Sequence, residues 1–365
     1  MLQSAVEHVL LDRTVQLGPC QYPVLVRTGP PARTGLARAV RQLGDGPVVL
    51  LAADRTPPCW PAETAAALPA ARRVASPRLL PEPTPDTVLV VLGDRRWLGS
   101  VLAHAGPARV VHVPTTLAAM CGASVPAHAD ATGRPHAPAL VWCRPDLLRG
   151  PQHAGLHPLL RDVLAVCPYH YASVARRLRV DGRYRPDVSA AFIALCVEAQ
   201  SGVLAFDPLG RGPGAVLRYG RGRPQGLLLA ARLARRLGLL DAAGEAAHRE
   251  LLARAGLPGT LTAWGATGYG GAFDGAFDDG LGGGLGGGLG GGLGGECGRH
   301  GGLLDGLGED GSLELVLLTA LGRPRVCGGS PLIRVEAADL RAVLPTPGPG
   351  LPATRDAVRV PAPLG

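Results

Sequence analysis

The sequence contains no lysine and no asparagine, so all 37 of its basic residues are arginine. A GC-rich coding sequence is the simplest explanation, because both missing amino acids have A-rich codons. The chemical consequence holds whatever the cause. Without lysine, the chain cannot form a Schiff base with a carbonyl substrate or supply the lysine of a phosphate-binding loop. Both classes of mechanism are therefore excluded.

Aromatic residues and paired cysteines are also scarce. Aromatic residues make up 4% of the chain, the arginines are dispersed, and no zinc-finger spacing or RNA-binding aromatic motif occurs. Despite the formal net charge of +8, we therefore expect no nucleic-acid partner. The eight cysteines form no C-x-x-C pair, which is typical of free thiols in a reducing cytosol.

Long apolar segments are missing as well. No uncharged apolar run reaches the roughly 18 residues that a membrane span needs, so we expect no membrane association. The N-terminal stretch MLQSAVEHVLLDRTV places acidic and basic residues among its apolar ones, unlike a signal peptide. We therefore expect a cytoplasmic protein.

The first part of the chain alternates short apolar runs with polar or Pro/Gly-rich breaks. This alternation predicts buried strands separated by helices, and hence an α/β, Rossmann-like domain over residues 1–150. The predicted strands are residues 22–27 (YPVLVR), 47–53 (PVVLLAA), 87–92 (TVLVVL) and 109–113 (RVVHV), and a helix is predicted over residues 34–43.

The rest of the chain has helical periodicity. We predict an all-α domain over residues 151–345, with helices at 156–166, 188–200, 226–240, 242–255 and 336–343. A glycine-rich segment at 264–311, with three LGGG units, is predicted to be a flexible insertion, or alternatively a functional glycine loop. Residues 346–365 form a Pro-rich tail.

Five segments of the chain match, in order, motifs of one known enzyme family. The segment VHVPTTLAAMCGASV (111–125) matches a V-P-T-T-L-L-A stretch and the D-x-S-V-G-G-K that follows it, and GLLLAARLARRLGLL (226–240) matches a later helix. The other three segments are YPVLVRTGPPARTGL (22–36), HRELLARAGLP (248–258) and GSLELVLLTALGRPRV (311–326). Together they resemble 3-dehydroquinate synthase and related sugar phosphate cyclases.

The resemblance spans most of the chain and implies the family's fold and chemistry. Family members bind NAD in the N-terminal domain and a divalent metal, usually zinc, in the cleft. They oxidise a sugar phosphate, eliminate phosphate and close a carbocycle. Such chemistry needs a nicotinamide held against the substrate, a metal that polarises oxygen, and cations that hold the phosphate.

The resemblance assigns cofactor contacts to Asp54, Glu82, Thr115 and Thr116. Asp54 follows a predicted strand, so a role as a strand-end cap is the alternative. The family's G-G-G-x-x-x-D phosphate loop corresponds to a stretch whose one glycine is Gly93. Side chains there would hinder the approach of the protein backbone to a pyrophosphate.

The family's catalytic lysines are replaced. Their positions fall on His128, near His136, and on Arg161. A histidine can carry a proton but has a shorter reach than lysine, whereas arginine keeps the positive charge. We therefore predict catalytic roles for His128 and Arg161, with structural roles as the alternative.

The family's three metal ligands are replaced too. Their positions fall on Pro158, Arg211 and Tyr219. Proline and arginine cannot ligate zinc, and a neutral tyrosine is a poor ligand. His153 and His157 are four residues apart, but two imidazoles make an incomplete ligand set, so we interpret them as packing or solvated residues.

The replaced residues favour a catalytically impaired or non-catalytic family member. One alternative is an active cyclase. A second is a non-catalytic scaffold that pairs with an active homologue, and a homodimer is also expected from the resemblance. The third is altered chemistry on an anionic sugar phosphate in a cleft lined by His128, Arg161, Arg211 and Arg221, with His136 as a further anion contact.

Overall fold

The structure is a computed structural model that describes residues 8–29, 32–80, 82–125, 128–129, 133–261 and 312–343. The glycine-rich insertion and the Pro-rich tail lie outside the described residues, so the predictions made for them stay predictions.

A seven-stranded sheet forms the first half of the molecule. Its strand order is β1-β2-β9-β6-β5-β3-β4. All neighbouring pairs are parallel except β1 with β2, which form an antiparallel hairpin at one edge. The strands are β1 (His8–Leu17), β2 (Cys20–Thr28), β3 (Val48–Ala52), β4 (Arg72–Val74), β5 (Val88–Gly93), β6 (Arg109–Pro114) and β9 (Leu140–Cys143), and a separate hairpin joins β7 (His128–Ala129) to β8 (Pro135–His136).

Helices cover both faces of this sheet. Leu36 of α1 (Ala32–Leu43) and Trp60 of α2 (Cys59–Ala67) belong to one buried cluster, whereas Leu98 of α3 (Arg95–Leu102) belongs to the other. The connections after β3 and β5 therefore leave towards opposite faces. The crevice between the carboxyl ends of these two strands is the topological switch point, where open α/β sheets bind ligands.

The predicted strands are present because their apolar runs are buried on both faces. Every residue of β5 is buried, as a central parallel strand requires. The second half is mainly helical, as predicted, and also contains two small strand pairs, β10 with β13 and β11 with β12. Helix α4 (Leu117–Gly122) follows β6 in the first half. The elements of the second half are α5 (His157–Ala165), α6 (Tyr171–Arg177), α7 (Pro186–Leu204), α8 (Pro224–Arg236), α9 (Ala242–Arg254), β10 (Ser312–Val316), β11 (Leu318–Ala320), β12 (Arg323–Pro324), β13 (Leu332–Glu336) and α10 (Ala337–Val343).

Helix α7 is the core helix of this half. It has 19 residues, and among the described residues it is the one helix long and apolar enough to cross a membrane by length and composition. However, 56% of its apolar window is buried inside the molecule, where α7 packs against α4, α5 and β1. Burial against these elements explains its apolar composition.

Candidate cofactor and substrate cleft

The switch-point crevice is narrow. The backbone N–H of Ala53, just after β3, donates to the carbonyl of Leu92 at 2.9 Å. A Cβ atom on Gly93 would lie 2.9 Å from Cδ1 of Trp97 and 3.2 Å from Cβ of Ala53. Glycine is therefore required at position 93, because the Trp97 ring packs directly on it.

Two polar atoms of the crevice region are buried without a hydrogen-bond partner among the described residues. They are Nε1 of the Trp97 indole and Oγ1 of Thr56, in the turn between β3 and α2. Thr56 lies beside the crevice, because its backbone N–H donates to the Ala53 carbonyl at 2.9 Å. Buried polar groups normally have partners, so these two atoms are the ones a bound ligand or water would satisfy.

Three of the four predicted cofactor contacts follow strands β3 and β6, and the fourth, Glu82, lies before β5. Asp54 is exposed in the turn after β3. Thr115 is buried after β6, and Thr116 caps α4 by accepting from the N–H of Ala119 at 3.1 Å. Glu82 is exposed ahead of β5. At the start of α3, the carboxylate of Asp94 accepts from the N–H of Trp97 at 2.9 Å, so this helix end already holds an anionic cap.

His128 and His136 face each other as the paired residues of the β7–β8 hairpin. The His128 ring packs on α3, because a Cβ atom on Gly99 would lie 2.8 Å from its Cε1. Burial, followed by the nearby Arg95, lowers the pKa of His128 to about 3. The ring is therefore neutral at pH 7 and does not replace the charge of a lysine, contrary to one possibility considered for this position. A catalytic role for His128 stays a prediction.

Arg161 is buried rather than facing substrate. Its side chain is 3% exposed, and its Nε donates to Oδ1 of Asp162 at 2.7 Å. Its Nη1 donates to the carbonyl of Leu217 at 3.0 Å, while Oδ2 of Asp162 accepts from Gln200 at 2.7 Å. Burial raises the pKa of Asp162. The guanidinium thus connects α5 to the segment 213–222. Contrary to the prediction, Arg161 does not line a cationic cleft, because its charge is buried and paired with Asp162.

Tyr219 is fully buried, and its hydroxyl forms a 2.8 Å hydrogen bond with Nε2 of His248. The other ring nitrogen of His248 lies 2.7 Å from the carbonyl of Gly244, so the Tyr219 hydroxyl donates when that nitrogen carries the proton. Burial lowers the pKa of His248 to about 4. On α5, Pro158 and His157 are both buried, and the His157 ring lies against the backbone of Tyr219.

Arg211 is exposed at the start of a loop organised by Asp207. The Asp207 carboxylate accepts from the backbone N–H groups of Arg211, Gly212 and Gly214, at 3.0, 2.7 and 2.8 Å. The same loop touches the N-terminal half. A Cβ atom on Gly18, in the β1–β2 turn, would lie 3.0 Å from Pro208 and 4.0 Å from Pro135.

The loop at 207–214 and the β7–β8 hairpin are therefore neighbours at the β1–β2 turn. His136 belongs to this hairpin, and Arg211 belongs to this loop. The segments that carry these two predicted anion contacts therefore both lie near the β1–β2 turn.

Comparisons with known proteins identify the family. No family model matches the chain. A protein of Amycolatopsis mediterranei (strain S699), described as an aminodehydroquinate synthase, is 30% identical over 295 residues, which are 68% of this chain and 80% of that protein. The chain belongs to the sugar phosphate cyclase family of 3-dehydroquinate synthase.

Other relatives agree with this assignment. The 2-deoxy-scyllo-inosose synthase of Streptomyces lividus is 30% identical over 261 residues, which are 63% of this chain and 62% of that enzyme. The match thus spans less than two thirds of that relative's length.

Two solved cyclase structures share the fold. A 2-deoxy-scyllo-inosose synthase complexed with carbaglucose-6-phosphate, NAD+ and Co2+ has a TM-score of 0.68 at 16% identity, covering 91% of this chain and 99% of that one. The 2-epi-5-epi-valiolone synthase of Streptomyces hygroscopicus, with NAD+ and Zn2+ bound, has a TM-score of 0.59 at 16% identity, covering 91% and 98%.

The two cofactors of the sugar phosphate cyclases fit this chain unequally. Asp54, Thr56 and Trp97 lie at the crevice and could contact a dinucleotide there. The described residues contain no group of three or more His, Cys, Asp or Glu side chains that could hold a divalent metal. Tyr219 cannot leave its position to bind metal without breaking its hydrogen bond to His248.

Three residues that these contacts single out were not predicted from the sequence. Trp97 and His248 lie on helices whose patterns indicate only packing, and Thr56 lies in a turn. Their roles depend on contacts between distant segments, for example the 29 residues that separate Tyr219 from His248. No local sequence signal marks such contacts.

Proposed function

We propose that this cyclase-family protein binds an anionic sugar phosphate, together with NAD, without performing metal-dependent carbocycle formation. The observation that carries the proposal is the hydrogen bond between Tyr219 and His248. This hydrogen bond engages Tyr219, which the family resemblance assigns to a metal-ligand position. Pro158 and Arg211 stand at the other two such positions, and neither can ligate a metal.

The loss of the metal also follows from charge. A divalent ion is stabilised by anionic or neutral electron-pair donors, whereas an arginine nearby repels it. Arg211 lies at one family ligand position and is exposed. Arg161 adds no net charge, because Asp162 neutralises it. The arginine at position 211 therefore disfavours a cation and favours an anion there.

A phosphate group is the anion that this arrangement fits best. Arginine holds phosphate bidentately and cannot lose its proton near neutral pH. We propose Arg211, Arg221 and His136 as contacts of a sugar phosphate. The complex of the related synthase with carbaglucose-6-phosphate supports this ligand class.

NAD is the proposed cofactor. Asp54, Thr115 and Thr116 lie at the ends of β3 and β6, and Thr56 and Trp97 add the unsatisfied Oγ1 and Nε1 atoms. When bound, NAD supplies hydride transfer. These side chains would position the dinucleotide at the switch point, while Gly93 leaves space for the Trp97 ring.

Metal analysis combined with calorimetry tests the proposal. The purified chain, dialysed against zinc, is expected to contain far less than one metal ion per chain, yet to bind both NAD and carbaglucose-6-phosphate. Glucose 6-phosphate with NAD is expected to release no phosphate, whereas a 2-deoxy-scyllo-inosose synthase run in parallel serves as the positive control. Stoichiometric zinc with phosphate release would overturn the proposal, and so would failure to bind the phosphate ligand.

The association state is a separate proposal. A homodimer, or a complex with an active cyclase, is expected from the family resemblance alone. Light scattering of the chain with and without an active relative measures both possibilities, and a monomer under both conditions would contradict them.

A further inference from the structure

His112 is a buried polar residue that the proposed function does not use. It lies in β6, and its side chain is fully buried. Its Nε2 lies 3.2 Å from the carbonyl oxygen of Gly93, at the end of the neighbouring strand β5. A carbonyl oxygen only accepts hydrogen bonds, so the imidazole donates this one from Nε2. A side chain of β6 thus holds the strand end that borders the switch-point crevice.

The imidazole of His112 is neutral and fixed in place. Burial lowers its pKa to about 4, so at pH 7 the ring has a single N–H group, and the Gly93 carbonyl places that proton on Nε2. The backbone of Ala123, just after α4, also contacts the ring. His112 is therefore held between the end of β5 and the end of α4.

Gly93 is a position at which the backbone has to be held. Its φ of +156° is one that residues with a side chain rarely adopt, and a Cβ atom would lie 2.9 Å from Cδ1 of Trp97. The contact with Trp97 requires glycine, yet glycine has the largest backbone freedom of all residues. The pairing of β5 with β6 ends here, at Gly93 and Pro114. At this open end of the ladder, the His112 side chain fixes the carbonyl.

Helix α3 begins directly after this glycine. Asp94 is its N-cap residue, and its carbonyl accepts from the N–H of Leu98 at 3.0 Å. Because the peptide unit is planar, fixing the Gly93 carbonyl also fixes the Asp94 N–H and the start of α3. The Trp97 indole, whose Nε1 is buried without a hydrogen-bond partner among the described residues, lies in the first turn of this helix. The direction of the indole therefore depends on the Gly93 peptide, and through it on His112.

We infer that His112 is a positioning residue for the cofactor: by holding the Gly93 carbonyl, it keeps the Trp97 indole and the start of α3 in the arrangement that binds NAD. The inference rests on the proposed function, because it assumes NAD in the switch-point crevice. A backbone that is fixed before the ligand arrives loses less conformational entropy on binding. Without the hydrogen bond, Gly93 samples other conformations, and only the fraction of molecules in the competent one binds NAD.

Two amide substitutions of different reach test this role. The amide nitrogen of glutamine reaches about as far from the backbone as Nε2 of histidine, whereas that of asparagine is one methylene group shorter. His112→Gln is expected to keep the Kd for NAD within about threefold of the wild type. His112→Asn is expected to raise it about tenfold. Calorimetry measures the Kd, and hydrogen exchange over residues 93–98 should be faster in the asparagine variant than in the glutamine variant.

His153→Asn is the matched control for stability. Nε2 of His153 also donates to a backbone carbonyl, that of Val180, at 2.8 Å, and its ring packs against Gly182 in the second half of the chain. This variant is expected to lower Tm and to leave the Kd for NAD as in the wild type. If His112→Asn does not fold, His112→Met, an apolar side chain of similar size, takes its place with the same expected loss.

The outcomes separate the inference from the proposed function. If the wild type binds NAD and the variant without the hydrogen bond binds it equally well, the inference is wrong while the proposed function stands. The inference is also wrong if His112→Gln loses as much affinity as His112→Asn, or if His153→Asn weakens NAD to the same extent. If the wild type binds no NAD, the cofactor of the proposed function is itself wrong.

Discussion

At the scale of single residues, three buried histidines make the fold sensitive to acid. His112, His157 and His248 are at most 1% exposed. Burial lowers the pKa of His112 and of His248 to about 4, and it lowers that of His157 well below its ordinary value. The folded chain therefore keeps these rings neutral under conditions in which the unfolded chain protonates them.

The free energy of unfolding is accordingly expected to fall as the pH drops from about 6.5 towards 4. In this window the unfolded state binds protons that the native state does not. His248→Gln removes one of these groups, so the slope should decrease by up to about 1.4 kcal/mol per pH unit. Urea denaturation at several pH values between 7 and about 4.5 measures the slope.

Two comparisons make this measurement specific. His104 is exposed, so His104→Gln is the matched control and should leave the slope as in the wild type. The raised pKa of Asp162 acts in the opposite direction, because the native state takes up that proton more readily than the unfolded state. A slope that His248→Gln leaves unchanged would contradict the neutral, buried state of this histidine.

The sequence predicts the place of some candidate residues in the fold and not of others. The family resemblance assigns Asp54 and Thr115 as cofactor contacts, and the structure places both after strands, whose ends meet at one edge of a parallel sheet. Arg161 was predicted as a catalytic charge, but its neutralisation by Asp162 depends on the burial of α5 beneath the segment 213–222. Burial of this kind is set by tertiary packing.

At the scale of elements, glycines decide how closely helices approach other segments. Gly226 in α8 faces the Gly220 carbonyl, whereas Gly202 in α7 has open space where a Cβ would lie. Gly226→Ala is expected to lower the free energy of unfolding by about 2–3 kcal/mol, because the carbonyl must move. Gly202→Ala is the matched control in a helix and should raise it by about 0.5–1 kcal/mol.

Denaturation of both variants measures the difference between these two glycines. The Gly226 variant should also weaken phosphate binding, since the carbonyl that moves belongs to the residue before Arg221. Equal stabilities for the two variants would show that the turn at Gly220 and α8 are not in close contact.

The elements that the sequence predicts are those with strong patterns. The continuous apolar run of β5 and the amphipathic pattern of α8 each indicate one structure, and both are present. The edge strand β1 is not predicted from the sequence, because Asp12 and Arg13 interrupt its apolar residues. An exposed edge strand tolerates such charged residues. The strands β7 and β8 have two residues each, too few to show a periodic pattern of apolar residues. They depend on packing against α3.

At the scale of the whole molecule, one hydrophobic cluster crosses the predicted domain boundary at residue 150. It contains Val90 and Val111 of the sheet together with Leu159, Ile193 and Leu228 of the helices. A continuous core favours cooperative unfolding, since neither half can expose its side of the cluster without exposing the other. The two predicted domains are therefore expected to unfold together in one thermal transition.

Cooperative unfolding makes NAD binding measurable as a property of the whole chain. A ligand that binds only the native state at 100 times its Kd stabilises it by about 2.7 kcal/mol. NAD is therefore expected to shift the single transition upward, although the proposed site lies in the first half. Thr56→Val removes the unsatisfied Oγ1 and should weaken NAD by about 3- to 10-fold, the value of one hydrogen bond.

Ser201 supplies the matched control for this test. Its Oγ in α7 is also buried without a hydrogen-bond partner among the described residues, but it lies in the other half of the molecule. Ser201→Ala should leave the NAD-dependent shift as in the wild type. Equal NAD affinity in the Thr56 variant and the wild type would exclude this hydroxyl as a cofactor contact. Two separate transitions, of which NAD moves only one, would show that the shared core does not couple the halves.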